Sequence, residues 1–416
     1  MTTLIYWFRN DLRLTDNPAL VEACLHADCL LPVYISPPKS KTLHALGFPR
    51  EGHHRQTFLR ESLNDLKLQL RTLGSDLLEY EGDPADVLAT LTHTLGADAI
   101  YCERIEAPEE MQQSQQIQGQ GILLKEFWQS SMCSLESLPF PAQDILNIFT
   151  QFRKEIERSG LRFTAPVAAP SNIPSLPTCL EILPRESDSQ EVKPANHFLG
   201  GERSALAHLN QYLVRRLPDT YKETRNQLIG KDFSSKFSPW LALGCISART
   251  IAADLAAYEQ CHGANEGTYW LWFELLWRDY FRFLHFKYGR QLYRAKGLSD
   301  ASLVQSDPLQ FKRWCAGQTG EPLVDAGMRE LVKTGYLSNR MRQIVASYLI
   351  YDLKGDWRFG AAWFESQLID YDVYSNQGNW LYLAGRGTDP RGGRHFNIAK
   401  QAQDHDPQGD YQRLWL

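Results

Sequence analysis

The first 130 residues alternate between short apolar runs and longer amphipathic stretches. Runs of four to eight apolar residues bounded by turn formers are typical of buried strands. We predict five such strands, at residues 4–8, 30–35, 77–80, 99–102 and 122–127. Residues 56–73 repeat apolar side chains at helical spacing. Strands that alternate with helices predict an α/β domain with a doubly wound, parallel sheet.

The pattern changes in the middle of the chain. Between residues 163 and 199 there is little periodicity, and the segment contains Pro166, Pro170, Pro174, Pro177, Pro184 and Pro194. This composition favours an extended connection between domains. From residue 200 onward the apolar spacing is helical and strand signals disappear. We therefore predict an α/β domain at 1–130, an interdomain linker at 131–199 and an all-α domain at 200–416.

Composition and charge narrow the classes of function. The net charge of −5 and the pI of about 6.1 mean that a polyanion must meet a local basic patch. No apolar stretch approaches the roughly 18–20 residues of a membrane span, and the N-terminal apolar run ends at once in charges, so no secretory signal is expected. The scattered cysteines contain no C-x-x-C pair and offer no ligand set for zinc or an iron–sulfur cluster. We expect a cytoplasmic monomer.

The first candidate site is the segment DFSSKFSPW at 232–240. Three serines supply hydroxyl groups, Lys236 supplies a cation, and a predicted helix follows. A pyrophosphate is well held by such a set. The alternative is a serine-rich loop with an ordinary helix cap.

The second candidate site is a helix predicted at residues 269–283. Its apolar residues lie all around the helical wheel, which indicates a helix buried in a large domain. Glu274, Trp277, Arg278 and Phe281 share one face. A carboxylate beside an indole and a guanidinium suits a ligand with planar rings and polar edges. The alternative is a core helix with a buried Glu–Arg pair.

Two further segments concentrate polar side chains. Residues 334–343 place four of them within little more than one helical turn: Asn339, Arg340, Arg342 and Gln343. They suit a phosphate or carboxylate, or form a solvated helix start. Residues 370–380 bring Asp370, Asp372 and Asn376 together, without the spacing of an EF-hand calcium site. Hydrogen bonding to a ribose or a ring edge fits so many polar groups better.

Two basic segments interrupt the acidic chain. The first, 277–296, contains six Lys or Arg against one Asp, namely Arg278, Arg282, Lys287, Arg290, Arg294 and Lys296. The second, 385–400, contains Arg386, Arg391, Arg394 and Lys400. Interleaved with aromatic residues, they indicate a phosphate-backbone partner, although a solvated surface is the simpler alternative.

Together and in this order, these segments resemble the photolyase/cryptochrome family. The opening signature is WFRNDLRLTDNP at 7–18, and the flavin-domain signatures are QTGEPLVDA at 318–326, MREL at 328–331 and DYDVYSNQGNW at 370–380. Other segments resemble the cryptochrome DASH type: FPAQD at 140–144, FTQFRK at 149–154, YKETRN at 221–226, NIAKQ at 397–401 and GDYQRLW at 409–415. The resemblance covers nearly the whole chain.

The resemblance implies an N-terminal antenna domain and a helical domain that encloses a U-shaped FAD. It implies a diphosphate site formed by Tyr221, Ser234, Ser235, Lys236, Phe237 and Ser238. It also implies flavin and ribose contacts from Asn339, Arg342, Asp370, Asp372 and Asn376. In this family, an asparagine at position 376 faces flavin N5 in the repair enzymes. A folate antenna such as methenyltetrahydrofolate is implied by the DASH type, with Glu106 as its ligand.

The same resemblance implies a DNA site for pyrimidine dimers, formed by Glu274, Trp277, Arg278, Asn339, Arg340, Gln343, Tyr382 and Gln401. Gln343 and Tyr382 stand where other photolyases carry Met and Trp. These polar replacements weaken the apolar clamp on a flipped dimer, so we predict single-stranded DNA as the preferred partner. The (6-4) photolyases are disfavoured, because their paired histidines would align near Asn339 and Gln343.

The family's tryptophan triad is incomplete in this sequence. Trp380 and Trp357 match its two inner members, whereas the outer member aligns with Val304. Candidate replacements are Tyr348, Tyr351 and Trp314. We predict a slower or rerouted photoreduction.

The resemblance therefore implies a blue-light-dependent flavoprotein, similar to deoxyribodipyrimidine photolyase. It would repair cyclobutane pyrimidine dimers, preferentially in single strands, by electron transfer from reduced FAD. The alternative is a DASH photoreceptor that binds DNA in a signalling role with little repair. The presence of Glu274, Trp277, Asn339 and Asn376 favours repair.

Overall fold

A parallel sheet forms the centre of the N-terminal region. Its strands are β1 (Thr3–Phe8), β2 (Cys29–Ser36), β3 (Leu78–Glu81), β4 (Ala99–Glu103) and β5 (Leu124–Phe127). They are ordered β3-β2-β1-β4-β5, which confirms the predicted five-stranded, doubly wound sheet. The computed structural model describes residues 1–36, 38, 43–161, 163–178, 198–302 and 304–416.

Both faces of this sheet are covered. In register, Ile5 of β1 lies opposite Leu31 of β2 and Ile100 of β4, and all three belong to a small core on one face. On the other face, Tyr6 and Phe8 join the large core that continues into the helical region. Burial on both faces explains why these strands read as continuous apolar runs rather than as alternating patterns.

Seventeen α-helices surround and follow the sheet in the described part of the chain. They are α1 (Pro18–His26), α2 (His53–Thr72), α3 (Pro84–Leu95), α4 (Pro108–Gly119), α5 (Phe149–Ser159), α6 (Glu202–Val214), α7 (Tyr221–Thr224), α8 (Ser238–Ala242), α9 (Ala248–His262), α10 (Glu266–Tyr288), α11 (Pro308–Cys315), α12 (Pro322–Thr334), α13 (Asn339–Ser347), α14 (Trp357–Gln367), α15 (Val373–Leu383), α16 (Ile398–His405) and α17 (Asp410–Trp415). From residue 200 onward the described residues form helices and loops, as predicted.

The segment expected to be an interdomain connection contains a helix. α5 lies within residues 131–199, and its buried Phe149, Phe152 and Ile156 pack into the large core. Pro166, Pro170, Pro174 and Pro177 lie outside any helix or strand, whereas Pro184 and Pro194 lie outside the described residues. The proline-rich part therefore begins after a helix that is packed against the body of the protein.

Helix α10 is only partly the buried helix that its composition predicts. It begins at a capping box formed by Asn265 and Thr268. Its C-terminal half is buried, but Tyr269 is 36% exposed and Trp270, Trp272 and Phe273 are half-buried. The expectation of burial all around the helix was wrong for this first part, because one side of it is in the core, with Thr268 and Leu271 buried, while Tyr269 on another side is at the surface.

Buried polar contacts join the sheet region to the helical region. The two oxygens of Glu202 accept hydrogen bonds from the backbone amides of Leu14 and Thr15 at 2.8 Å each. Gly244 adopts a φ of +66°, and a Cβ there would lie 1.9 Å from the Asn10 carbonyl oxygen. Only glycine fits this close approach, which fixes the opening signature against the helices.

None of the helices in the described ranges is both long and apolar enough to cross a bilayer.

Candidate cofactor and nucleic-acid site

A cavity between α13 and α15 collects most of the predicted flavin residues. It measures about 90 Å³ and is lined by Asn339, Arg342, Gln343, Asp370, Asp372, Asn376 and Trp380 together with Ala346, Phe364, Leu368, Tyr371, Ser375, Asn379 and Leu383. Residues 334–343 and 370–380 form one site because α13 packs against α15. The structure therefore brings together two of the segments that the sequence singled out.

Asp370 and Arg342 leave hydrogen-bonding capacity for a ligand. Arg342 donates from Nη2 to Asp370 Oδ2 at 2.7 Å and from Nε to the Leu337 carbonyl oxygen at 2.9 Å. The other oxygen of Asp370, Oδ1, is buried and has no hydrogen-bond partner in the structure. An unpaired buried carboxylate oxygen is costly unless a bound group satisfies it. A ring N–H or a ribose hydroxyl would do so.

Asp372 is held by an ion pair. Arg282 donates to Asp372 Oδ2 at 2.5 Å, and the Ser375 amide donates to Oδ1 at 2.7 Å, which caps α15. Burial raises the pKa of Asp372, but the charges of Arg282 and Arg278 outweigh it and bring this pKa down to about 2. Asp372 therefore keeps a negative charge beside the cavity.

Asn376 is positioned by the neighbouring helix. Its Nδ2 donates to the Ala361 carbonyl oxygen of α14 at 3.1 Å. This bond fixes the plane of the amide and leaves the side-chain carbonyl oxygen as its free acceptor. Asn376 and Tyr371 also line a second, larger cavity, so they form part of the wall between the two.

The predicted diphosphate segment has a backbone conformation that suits an anion. Ser234 and Lys236 adopt left-handed φ values of +59° and +54°, and Phe237 returns to the right-handed region. Successive residues of opposite handedness point their N–H groups into one concavity that suits an anion. The described residues supply no side-chain cap to α8, which contradicts the ordinary helix cap of the alternative but not its serine-rich loop.

Buried side chains and hydrogen bonds to neighbouring residues hold this segment in place. Tyr221 and Phe237 are buried in the core. The carbonyl oxygen of Ser235 lies 2.8 Å from His208 Nε2, and Lys236 Nζ donates to the Gly230 carbonyl oxygen at 3.0 Å. The donors needed by a diphosphate are thus backbone groups and hydroxyls on a fixed loop.

The predicted lesion residues on α10 and α15 face one another. Trp277 stacks on Phe149 of α5, with ring centroids 3.6 Å apart and an interplanar angle of 13°. The ring of Tyr382 meets Trp277 edge-on at 5.5 Å. Glu274 pairs with Arg225, and burial raises the pKa of Glu274 above its usual value although Arg225 opposes this. The site thus combines a carboxylate with two aromatic rings.

Arg340 and Gln401 add polar atoms to this side. Arg340 donates to Asn226 Oδ1 at 3.2 Å, while its Nε is buried without a partner. The Oε1 oxygen of Gln401 is also buried and without a partner in the described structure. Both orphaned atoms fit a polar ligand.

Arg278 does not belong to this group. It donates to the backbone carbonyl oxygens of Ser130 and Leu241, and burial lowers its pKa to about 10. Its guanidinium is therefore engaged inside the protein and does not face a phosphate.

Part of the first basic segment is likewise engaged inside the protein. Arg282 pairs with Asp372, and Lys287 donates to Asn147 Oδ1 at 2.7 Å. In the second basic segment, Arg386 donates to two backbone carbonyl oxygens and Arg394 pairs with the buried Asp389. The phosphate-backbone partner stays a prediction for the cations of these segments that are exposed, Arg290, Arg294, Lys296, Arg391 and Lys400, and a solvated surface stays its alternative. The cations described above are not available to it, because they bond to carboxylates and carbonyl oxygens of the protein.

The second cavity lies outside the carboxyl ends of β1 and β2. It measures about 560 Å³, and its lining includes Trp7, Arg9, Tyr34, Glu109, Glu110 and Tyr293. Ligands of doubly wound sheets bind at this edge, where the strand order reverses. Glu106 does not line the cavity. Its carboxylate pairs with Arg104 at 2.6 Å, and its amide donates to the Tyr374 hydroxyl oxygen.

The tryptophans expected to carry electrons are buried. Trp357 is 4% exposed and donates to the Ala295 carbonyl oxygen at 3.1 Å. Trp380 meets Trp314 edge-on, with ring centroids 6.4 Å apart. Val304 is 42% exposed, so the position of the missing outer tryptophan is at the surface.

Sequence reasoning missed several residues of the site. Arg225 pairs with Glu274, Phe149 stacks under Trp277, and Tyr336 lies with its ring 5.4 Å from the Arg342 guanidinium. Arg225 and Phe149 occur in segments that the sequence had marked as signatures, and Tyr336 occurs in the polar segment 334–343. The signal available in the sequence was an aromatic residue or an arginine that lies in one of these segments and had no role assigned to it.

Comparisons with known proteins agree with this geometry. A family model described as DNA photolyase matches residues 4–171, and one described as the FAD binding domain of DNA photolyase matches residues 270–416. A cryptochrome DASH from Synechocystis is 45% identical over 427 residues, covering 100% of this chain and 87% of the relative. The chain belongs to the photolyase/cryptochrome family, DASH type.

Solved structures of the photolyase/cryptochrome family share the fold. The crystal structure of a Synechocystis cryptochrome matches with a TM-score of 0.93 and 43% identity, covering 100% of this chain and 89% of that one. An archaeal photolyase from Sulfolobus tokodaii, described with two FAD molecules and a novel light-harvesting cofactor, matches with a TM-score of 0.80 and 27% identity. It covers 100% of this chain and 90% of its own. The helical region of the DASH chain is thus an FAD-binding domain.

Proposed function

We propose that this chain repairs cyclobutane pyrimidine dimers in single-stranded DNA, using light and reduced FAD. The observation that carries the proposal is that Glu274, Trp277 and Tyr382 lie where α10 contacts α15, the helix that also lines the cavity with Asn376. A carboxylate and two rings beside a flavin cavity suit a flipped pair of pyrimidines. Enzymes that act on a base take it out of the stack into such a pocket.

The residues have distinct roles in this proposal. Tyr221 and the loop Ser234–Ser238 hold the FAD diphosphate, while Arg342 and Asp370 bind the flavin or ribose, with Asp372 held beside them by Arg282. Asn339 and Asn376 line the cavity where the flavin ring lies. When bound, reduced FAD supplies under blue light the electron that splits the cyclobutane ring, and the electron then returns.

The lesion residues recognise the dimer. Glu274 accepts hydrogen bonds from the pyrimidine edges, which requires Arg225 to release part of its contact with the carboxylate. Trp277 presents an indole held in place by Phe149. Arg340 and Gln401 offer their unpaired atoms to the lesion or its phosphate.

The preference for single strands follows from the character of this pocket. Tyr382 accepts a hydrogen bond from Arg394 at 2.8 Å, and Gln343 lines the cavity, so the pocket is more polar than an all-aromatic clamp. A stacked base contributes about 1–3 kcal/mol, and flipping out of a duplex costs a few kcal/mol. A weaker clamp offsets less of that cost, and unpaired strands avoid most of it.

The cavity at the strand ends is the proposed antenna site. A folate such as methenyltetrahydrofolate has a pterin ring that would lie against Tyr34 or Trp7, with Glu110 as an acceptor for its ring N–H groups. Glu110 replaces Glu106 in our proposal, because Glu106 is engaged with Arg104.

The central test is repair of a defined substrate. The reduced holoprotein is illuminated with a dimer-containing single-stranded oligonucleotide, and restored thymine is measured. We expect Glu274→Ala to lose about tenfold or more of the activity, because hydrogen bonds to a charged group contribute about 1.5–3 kcal/mol. The matched control is Glu266→Ala, an exposed carboxylate on the same helix, which should repair like the wild type.

The substrates separate the possible outcomes. Equal repair of duplex and single strands would contradict the strand preference. Dimer binding without thymine recovery in the illuminated wild type would favour the alternative, a DASH photoreceptor with a signalling role.

A further inference from the structure

The face of α10 that carries the lesion residues continues for one more turn towards the protein surface. Trp270, Phe273 and Trp277 recur at i, i+3 and i+7, with Glu274 at i+4, so all four share one side of the helix. We call Trp270 and Phe273 the outer aromatic pair. Their rings are 4.5 Å apart, and both are only half-buried.

The outer aromatic pair is continuous with the lesion side. Phe149, which stacks on Trp277, also meets Phe273 edge-on at 5.2 Å. Arg225 lies over the Trp270 ring at 4.3 Å and pairs with Glu274. One aromatic surface therefore runs from the lesion carboxylate outward.

The positive charges beside this surface favour the binding of an anion. Arg340 donates to Oδ1 of Asn226, the residue that follows Arg225, at 3.2 Å. Burial and then the charge of Arg225 lower the pKa of Arg340, and the charge of Asp404 opposes this. Arg340 also keeps a buried Nε without a partner. A phosphate between the two guanidiniums would remove the repulsion and satisfy this donor.

We propose that Trp270, Phe273 and Arg225 form a subsite for the nucleotide that flanks the pyrimidine dimer in a single strand. The flanking base stacks on the outer aromatic pair, and its phosphate contacts Arg225 and Arg340. The inference rests on the proposed function, because it places the dimer at Glu274 and Trp277. Aromatic stacking beside cations is how proteins bind single strands without reading their sequence, since every base has a π-face.

This subsite also gives Arg225 a second role. In the structure it covers both the Trp270 ring and the Glu274 carboxylate. Transfer of Arg225 to the incoming phosphate frees the carboxylate for the dimer. Binding of the flanking nucleotide thereby exposes the group that recognises the lesion.

The test compares two ligands in the dark with FAD-loaded protein. One is an isolated thymine-dimer dinucleotide, and the other is a ten-nucleotide single strand with a central dimer. We expect the wild type to bind the longer strand more tightly. In Trp270→Ala and Phe273→Ala this gain falls about fivefold or more, while binding of the dinucleotide is unchanged.

Trp272→Ala is the matched control, because Trp272 lies on a different side of α10 and contacts Phe163 at 6.2 Å. Retained flavin absorbance shows that each variant is folded. In Arg225→Gln, the salt dependence of binding to the long strand should weaken by about one phosphate contact.

The two proposals fail in different ways. If the dinucleotide binds but the outer aromatic pair variants keep the full gain from length, the subsite is wrong and the lesion site stands. If dimer-containing and undamaged strands bind equally, the proposed lesion site is wrong, whereas a loss of undamaged-strand affinity in the variants still supports stacking at this surface.

Discussion

Position 304 is where the predicted electron route would reach the protein surface. Val304 is exposed where the family's outer tryptophan would lie, and Trp357 and Trp380 behind it are buried. Of the three candidate replacements, Trp314 is the one whose ring contacts Trp380 in the described structure. It is fully buried, and its Nε1 donates to the Val345 carbonyl oxygen at 3.0 Å.

We predict that substitutions of these residues change the rate at which light reduces bound, oxidised FAD. Val304→Trp should accelerate it, because an indole at this position restores an oxidisable group in contact with solvent. Trp357→Phe should slow it, and Trp314→Phe should slow it only if the route branches. The visible flavin absorbance reports the rate, with the surface variant Trp415→Phe as control. Unchanged photoreduction in Trp357→Phe would contradict this route.

At the scale of elements, the MREL and GDYQRLW signature segments meet where α12 contacts α17. Tyr411 of α17 donates a hydrogen bond to Glu330 of α12, and the Tyr411 amide donates to Asp406 Oδ1 at 2.9 Å. Burial raises the pKa of Glu330 to about 7, although Tyr411, Lys236 and Arg342 each lower it. The MREL and GDYQRLW segments thus stabilise each other beside the diphosphate loop.

This contact predicts a pH-dependent stability. The pKa of Glu330 is higher in the folded chain than the ordinary glutamate value of about 4.3. The folded state therefore holds a proton that the unfolded state releases, and stability falls as pH rises from about 4 to about 7. In Glu330→Gln this fall should shrink by about 1–3 kcal/mol, since each pKa unit corresponds to 1.36 kcal/mol.

Urea unfolding at pH 5 and pH 8 would measure this difference. Glu155→Gln, on the surface of α5, is the matched control and should leave the pH dependence unchanged. An identical pH dependence in the wild type and Glu330→Gln would show that Glu330 titrates normally.

At the scale of the whole molecule, a buried ion pair joins the two regions. Arg249 of α9 donates to both oxygens of Asp16, at 2.9 Å each, and these side chains are 5% and 0% exposed. Asp16 has a left-handed φ of +53°, which only a few residue types adopt readily. Removing one partner of a buried pair leaves the other charge unpaired.

We therefore expect Arg249→Met to destabilise the FAD-loaded protein by about 3–5 kcal/mol. The double variant with Asp16→Asn should recover much of this loss, because asparagine tolerates the left-handed backbone and carries no charge. Arg215→Met, which breaks an exposed pair with Asp232, should cost less than about 1 kcal/mol. Urea unfolding followed by circular dichroism and flavin fluorescence would measure the stability of all three variants. An equal loss of stability in Arg249→Met and Arg215→Met would contradict the role of the buried ion pair in joining the two regions.

The sequence by itself determined the architecture and the identity of the cofactor domain. The five strands were readable because strands buried on both faces are continuously apolar, and Asn17 and Asp83 cap the helices that follow them through contacts within three residues. The flavin cavity was predictable because its polar residues fall in two short segments, 334–343 and 370–380. Local patterns and ordered motifs carry this information.

The tertiary structure alone decided which charged side chains are available to bind a ligand. Arg278 looked free for DNA, but its partners Ser130 and Leu241 are 148 and 37 residues away in sequence. In the same way, Phe149 lies in a predicted interdomain connection and stacks on Trp277 of α10 in the folded chain. A side chain's role depends on which distant groups satisfy it or cover it, and those partners become neighbours only when the chain has folded.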